Sequence, residues 1–228
     1  MRKISIILSL IALTVSSYGQ PTNPENLVRS DEAIHKIVYG DLNNDGIEDC
    51  VIITKQTRKE GFVKDERSEL EIDRNRRGIS IAFKEREYYN LFVAISDCFS
   101  SDAEDGGVYF APELSVEIKK GNLIIHYNHG RYGWWQYIFR YRNNNFELIG
   151  YDDENMVLWR MERSKSINFL TKKKKTRINT NLNAENESEY VIEETWQCIK
   201  LEKTINLIDI KDFDEFNIND CYSEIECK

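Results

Sequence analysis

Leu114-Ser115-Val116-Glu117-Ile118-Lys119-Lys120-Gly121-Asn122-Leu123-Ile124-Ile125-His126-Tyr127 is the stretch that decides the fold class. Two short arms rich in branched apolar residues flank Lys119-Lys120-Gly121-Asn122, a tetrad with turn character, and together they read as a β-hairpin. A second hairpin follows, with arms at 134–141 and 146–151 around Arg142-Asn143-Asn144-Asn145. Moving outward, residues 34–39, 51–54, 79–83, 88–95, 167–171 and 190–201 carry further strand-like runs. Residues 204–216 read as a short strand and a helical turn. Strands at this spacing, with no long amphipathic helix among them, predict a mainly β protein. Antiparallel strands and hairpins would form a single domain over residues 20–228, with at most short helices.

The ends and the composition limit the class. Arg2 and Lys3 precede an apolar run at 4–15, and Ser17-Tyr18-Gly19 follows with small residues at the positions a signal peptidase reads. Residues 1–19 are therefore expected to be a signal peptide cleaved near Gly19, which makes the protein exported, periplasmic or extracellular. No later run is long and apolar enough for a membrane span. The formal net charge of −8 repels phosphate backbones and argues against nucleic acid as a partner. Export permits disulfides among the five cysteines. Cys221 and Cys227 are close enough in sequence to close a small loop, and Cys50, Cys98 and Cys198 sit in strand contexts that suit buried thiols. Residues 55–77 are dense in charge and predict a solvated loop, with a short helix around 65–72. The Lys172 to Lys175 run reads as a solvated turn.

One stretch has the spacing of a metal site: Tyr39-Gly40-Asp41-Leu42-Asn43-Asn44-Asp45-Gly46-Ile47-Glu48-Asp49. Side-chain oxygens recur two residues apart at Asp41, Asn43 and Asp45. Gly46 permits a sharp turn, the Ile47 carbonyl stands next, and Asp49 completes the set. This all-oxygen arrangement suits a hard cation, Ca2+ first. An EF-hand would need a Glu where the chain has Ile52, so that reading fails. A metal-free Asx turn uses the same residue types. The loop resembles the strand-flanked calcium loops of FG-GAP and VCBS repeats over residues 39–54. That resemblance implies side-chain oxygens from Asp41, Asn43, Asp45 and Asp49, the Ile47 carbonyl, and a structural ion. The loop occurs once, which excludes a full propeller. Gly106-Gly107-Val108-Tyr109 and the strands at 123–127, 137–141, 146–150 and 166–171 are similar to an uncharacterised group of secreted bacterial proteins. This implies export and no reaction.

A second candidate is the aromatic loop with His126, His129, Arg131, Tyr132 and Trp134, which could bind a sugar or a peptide. On the strand after it, Trp135, Tyr137, Phe139 and Tyr141 alternate onto one face and read as core. Asp97, Asp102, Glu104 and Asp105 could supply a carboxylate pair for glycoside hydrolysis, or simply a solvated loop. No serine elbow, phosphate loop or His-Glu-x-x-His helix is present. The leading expectation is an exported, non-enzymatic, β-rich binding module with one structural calcium loop and an unknown protein or glycan partner. The alternatives are a hydrolase acting on envelope polymers, with His126, His129 or the 97–105 carboxylates in its site, and an envelope inhibitor or immunity protein.

Overall fold

A computed structural model describes residues 21–66, 69–103 and 112–227. The expected signal peptide lies outside those residues, as do Glu104, Asp105 and the Gly106-Gly107-Val108-Tyr109 stretch. The strands are β1 (Glu32–Gly40), β2 (Asp49–Gln56), β3 (Phe62–Lys64), β4 (Glu71–Asp73), β5 (Arg77–Glu85), β6 (Tyr88–Phe99) and β7 (Glu113–Lys119). They continue as β8 (Asn122–Asn128), β9 (Gly133–Arg142), β10 (Asn145–Val157), β11 (Arg160–Asn168), β12 (Lys173–Asn179), β13 (Ile192–Leu201) and β14 (Tyr222–Ile225). All helical segments among the described residues are single 3-10 turns. The mainly β, antiparallel expectation is met.

The strands form a four-stranded sheet ordered β1-β2-β5-β6 and an eight-stranded meander ordered from β14 through β13, β12, β11, β10, β9 and β8 to β7. The hairpin read first holds its register from Leu114 opposite Tyr127 to Lys119 opposite Asn122. Its turn places Lys120 and Gly121 at positive φ, as a two-residue hairpin loop requires.

One apolar core joins the sheets. Val51, Ile53, Ile79 and Ile81 of the small sheet share it with Leu123, Ile125, Tyr137 and Phe139 of the large one. The Phe83 ring lies 4.7 Å from that of Tyr141 across the interface. The expected aromatic face of β9 is indeed the core face: Tyr137 and Phe139 are buried, and Trp135 and Tyr141 pack on them.

The C-terminal segment closes the core. Its Ile205 carbonyl accepts from the Leu148 N–H of β10 at 2.8 Å, and its Phe213 N–H donates to the Cys98 carbonyl of β6 at 3.0 Å. Phe213 stacks on Phe99, with ring centroids 4.7 Å apart. In place of the expected strand at 204–216 there is a single bridge, Glu147 to Asn206, and a 3-10 turn at Leu207–Asp209. This segment contributes isolated apolar plugs, so no continuous ladder forms.

Arg77 is the polar exception in the core, at 1% exposure. Its guanidinium donates to the Ser100 carbonyl at 2.9 Å, to Asp102 at 2.7 Å and to the Tyr127 hydroxyl of β8 at 3.3 Å. Ser100 Oγ and that hydroxyl lie 2.5 Å apart. The network links β5 of one sheet to β8 of the other.

Several local expectations are corrected. The charged 55–77 segment contains a two-stranded ribbon of β3 and β4, paired Phe62 to Asp73, where a helix was expected around 65–72. Its Lys55 and Asp73 pair at 2.9 Å. Of the lysine run, only Lys172 stays in a turn, at φ 55°, and Lys173 to Lys175 open strand β12. Lys173 to Lys175 pair with β11 and β13, and Lys174 is neutralised by Glu224. The disulfide joins Cys198 to Cys227 across 29 residues, and Cys221 is a buried free thiol. The cause is the β14 register. This strand runs beside β13 with Leu201 opposite Tyr222 and Cys198 opposite Ile225, which carries Cys227 to Cys198. An extended run from Cys221 to Cys227 spans about 20 Å, far beyond disulfide reach. Cys50 and Cys98 are buried thiols as expected, and burial raises the Cys50 thiol to about 11.

Two outcomes follow from this arrangement. Thiol titration of the denatured, unreduced protein finds three free groups, corresponding to Cys50, Cys98 and Cys221. Cys221→Ser gives one fewer, Cys198→Ser one more, and Cys198→Ser loses about 3 kcal/mol in a guanidinium melt. Arg77→Lys loses roughly 2–4 kcal/mol in the same melt, because an ammonium cannot reproduce three directed guanidinium bonds.

Candidate functional site

The acidic loop runs between β1 and β2, as the sequence placed it. Leu42 is fully buried in the shared core and anchors it. Its polar side chains turn onto its own backbone. Asp41 accepts from the Asp45 N–H at 3.2 Å and the Gly46 N–H at 2.9 Å. Asn43 Oδ1 accepts from the same Asp45 N–H at 3.0 Å, and its Nδ2 donates to Asp45 Oδ2 at 2.9 Å. Asp45 Oδ1 accepts from the Ile47 N–H at 2.8 Å. The oxygens of Asp41, Asn43 and Asp45 thus converge on one short arc of backbone.

Asp49 behaves differently. It is fully buried, and its two oxygens accept from the N–H groups of Leu42 at 2.9 Å and Lys84 at 3.0 Å. Burial raises its carboxyl above the ordinary value, and those two N–H groups oppose the rise. Asp49 therefore ties the loop to β5. Asp41, Asp45 and Asp49 do not form a three-carboxylate cluster, nor does any other such group among the described residues. The loop tip also touches the large sheet. The Asn44 amide packs so closely on Gly121 of the β7–β8 turn that a Cβ there would lie 2.7 Å from Asn44 Oδ1. As a donor set the loop offers only oxygens, which fits calcium chemistry, with Asp49 as brace.

The aromatic loop is split by strand alternation. His126 lies against Trp134, ring centroids 5.3 Å apart, on the outer face of the large sheet. Burial lowers its imidazole below the ordinary value, with Glu117 pulling the other way. His129 sits on the opposite side, 4.7 Å from the Tyr127 ring and 6.4 Å from that of Trp135. The two histidines do not converge. Arg131 covers the Tyr132 ring at 4.9 Å on the 3-10 turn Gly130–Tyr132. Gly133 closes that turn at φ 111°, where a Cβ would lie 1.8 Å from the Glu154 carbonyl, so the loop is fixed tightly to β10.

The carboxylates near the end of β6 are held by cations. Asp97 faces Arg58 at 3.5 Å and Asp102 faces Arg77 at 2.7 Å. Glu104 and Asp105 lie outside the described residues.

Two features escaped the sequence reading. Beneath the aromatic loop, a cavity of about 350 Å³ is walled by His129, Tyr132, Trp135, Asp153 and Arg163 among others. At its floor Asp153 pairs with buried Lys165 at 3.0 Å. Burial, then the Asp153 charge, pushes the Tyr151 phenol upward.

The second feature is the β10–β11 turn. Val157 pairs with Arg160, so Leu158 and Trp159 alone make the loop, at φ 51° and 67°. They are 82% and 61% exposed. The left-handed region costs a side-chain-bearing residue about 1–2 kcal/mol, and Asn or Gly normally takes these places. With Tyr132, Val157, Leu182 and Val191, also exposed, this end of the large sheet is unusually apolar. The sequence signal was available only as a leucine–tryptophan pair in a polar context, which is not a turn signature.

No protein-family model, no curated protein and no solved structure matches the chain.

Replacing Leu158-Trp159 by Asn-Gly is expected to raise stability by roughly 1–3 kcal/mol in a guanidinium melt. An unchanged midpoint would mean that packing of the pair already offsets its backbone cost.

Proposed function

We propose that the protein is an exported, non-enzymatic binding module whose two sheets are clipped near the chain start by one structural calcium ion. The observation that carries the binding reading is the exposed apolar turn Leu158-Trp159, held in a backbone conformation that stability alone disfavours. Divergence of His126 and His129, and the pairing of Asp97 and Asp102 with arginines, count against the hydrolytic constellations. The Cys198–Cys227 disulfide and the apolar start of the chain support export.

Asp41, Asn43 and Asp45, with the Ile47 carbonyl, would hold the ion, and Asp49 would brace the loop from beneath. Its contribution is structural: it would replace the loop's internal hydrogen bonds with ion contacts and stiffen the seam where Asn44 meets Gly121.

Calcium loops in extracellular modules bind at about 0.1–1 mM, so roughly 1 mM calcium adds about 0.4–1.4 kcal/mol. Removing calcium with EDTA is expected to lower the melting temperature by about 1–5 °C, and Asp45→Ala to abolish that sensitivity. A wild-type melt indifferent to both calcium and EDTA would end the calcium assignment.

A further inference from the structure

Trp159 forms the wall between two grooves. On one side an apolar groove of about 370 Å³ runs past Arg131, Tyr132 and Leu158. On the other, a larger one of about 470 Å³ separates the β10–β11 turn from the loop joining β12 to β13. The larger groove combines two kinds of surface. Trp159, Tyr190, Met156 and Met161 give it a soft apolar wall, and Glu154 and Glu187 stand at its edge. Tyr190 is fixed there, because its hydroxyl accepts from the Met161 N–H at 3.1 Å. Arg177 also lines the groove, but it faces Glu194 at 3.8 Å. The bordering loop adds Glu185 and Glu189, both exposed. No ion pair to Glu185, Glu187 or Glu189 is found among the described residues.

We propose that this groove binds a basic, apolar segment of a partner protein, with a lysine or arginine stem against Trp159 and Tyr190 and its cation toward Glu154 and Glu187. The inference rests on the binding-module reading and gives it a partner class. Charge complementarity selects the occupant. A methylene stem gains from aromatic and thioether walls, and a cation over tryptophan gains further from the ring quadrupole. An anionic membrane would meet the same carboxylates with repulsion. A second copy of this acidic chain would bring like charge to the groove.

The test uses fluorescence anisotropy of a dye-labelled hexapeptide of alternating leucine and lysine, with its leucine–glutamate counterpart as control. The basic peptide is expected to bind saturably, at least ten-fold tighter than the acidic one. Trp159→Ala should weaken it five-fold or more, and Glu187→Gln about three-fold. Trp159→Ala changes no charge, and Trp159 is on an exposed turn. A loss in that variant, with the melting temperature preserved, therefore separates the groove from the general acidity of the chain. Equal binding of both peptides would overturn the proposal. So would binding that Trp159→Ala leaves intact and Tyr132→Ala abolishes, though that result would leave the binding-module reading standing. Capture by phosphatidylcholine vesicles, or concentration-dependent dimerisation, lost in Trp159→Ala without any peptide binding would also overturn it.

Discussion

A buried guanidinium sets the relation between the two sheets. Apolar contact between Ile79, Ile81 and the aromatic rows of β8 and β9 is strong but does not select one alignment, because burial rewards area without direction. Arg77 adds direction. Each of its nitrogens must find an acceptor once it leaves water, and the acceptors come from two places: the Ser100 carbonyl and Asp102 just after β6, and the Tyr127 hydroxyl of β8 in the large sheet. Any slide of the small sheet across the large one breaks at least one of those bonds in a low-dielectric interior. The network thus converts an interchangeable apolar contact into a single docked geometry.

The other connections follow from that docking. With the sheets fixed, the C-terminal segment can bond β10 at Leu148 and β6 at Cys98 at once, and Phe213 fills the space between Phe99 and the β9 aromatics. Arg76 reaches Asp212 of the same segment at 2.6 Å. The Asn44–Gly121 contact closes the opposite side. The inner faces are consumed by packing, and the end of the eight-stranded sheet around Leu158, Trp159, Leu182 and Val191 keeps several apolar side chains in water.

What could be read from the sequence follows the same division. The β7–β8 and β9–β10 hairpins were legible because Lys120-Gly121 and Asn143-Asn144 are residues that accept positive φ, and the flanking runs alternate. The core face of β9 was legible for the same period-two reason. β12 was misread, and all but the end of β11 was missed, because both are strands whose charge is satisfied across the sheet: Lys165 by Asp153, Lys174 by Glu224, and Arg177 near Glu194. Composition sees those charges but not their partners. The disulfide partner was hidden for a related reason, since the register of β14 on β13, and not sequence proximity, chooses Cys198 for Cys227. In the candidate site, the residue types of the acidic loop were readable, whereas the separation of His126 from His129 required knowing which side of the sheet each occupies.

Local chemistry and local structure disagree at the Leu158-Trp159 turn. The other two-residue loops of the large sheet, Lys120-Gly121 and Asn143-Asn144, each include a Gly or Asn that takes left-handed backbone readily. Here two bulky apolar side chains take left-handed backbone and still face solvent, so neither backbone preference nor burial favours them. Conflicts of this kind gather where a surface is used. The direction of that use follows from the surroundings. Trp159 meets Tyr190 and two methionines on one side and carboxylates at the groove edge, an arrangement that rewards a guest both apolar and cationic more than one that is only either.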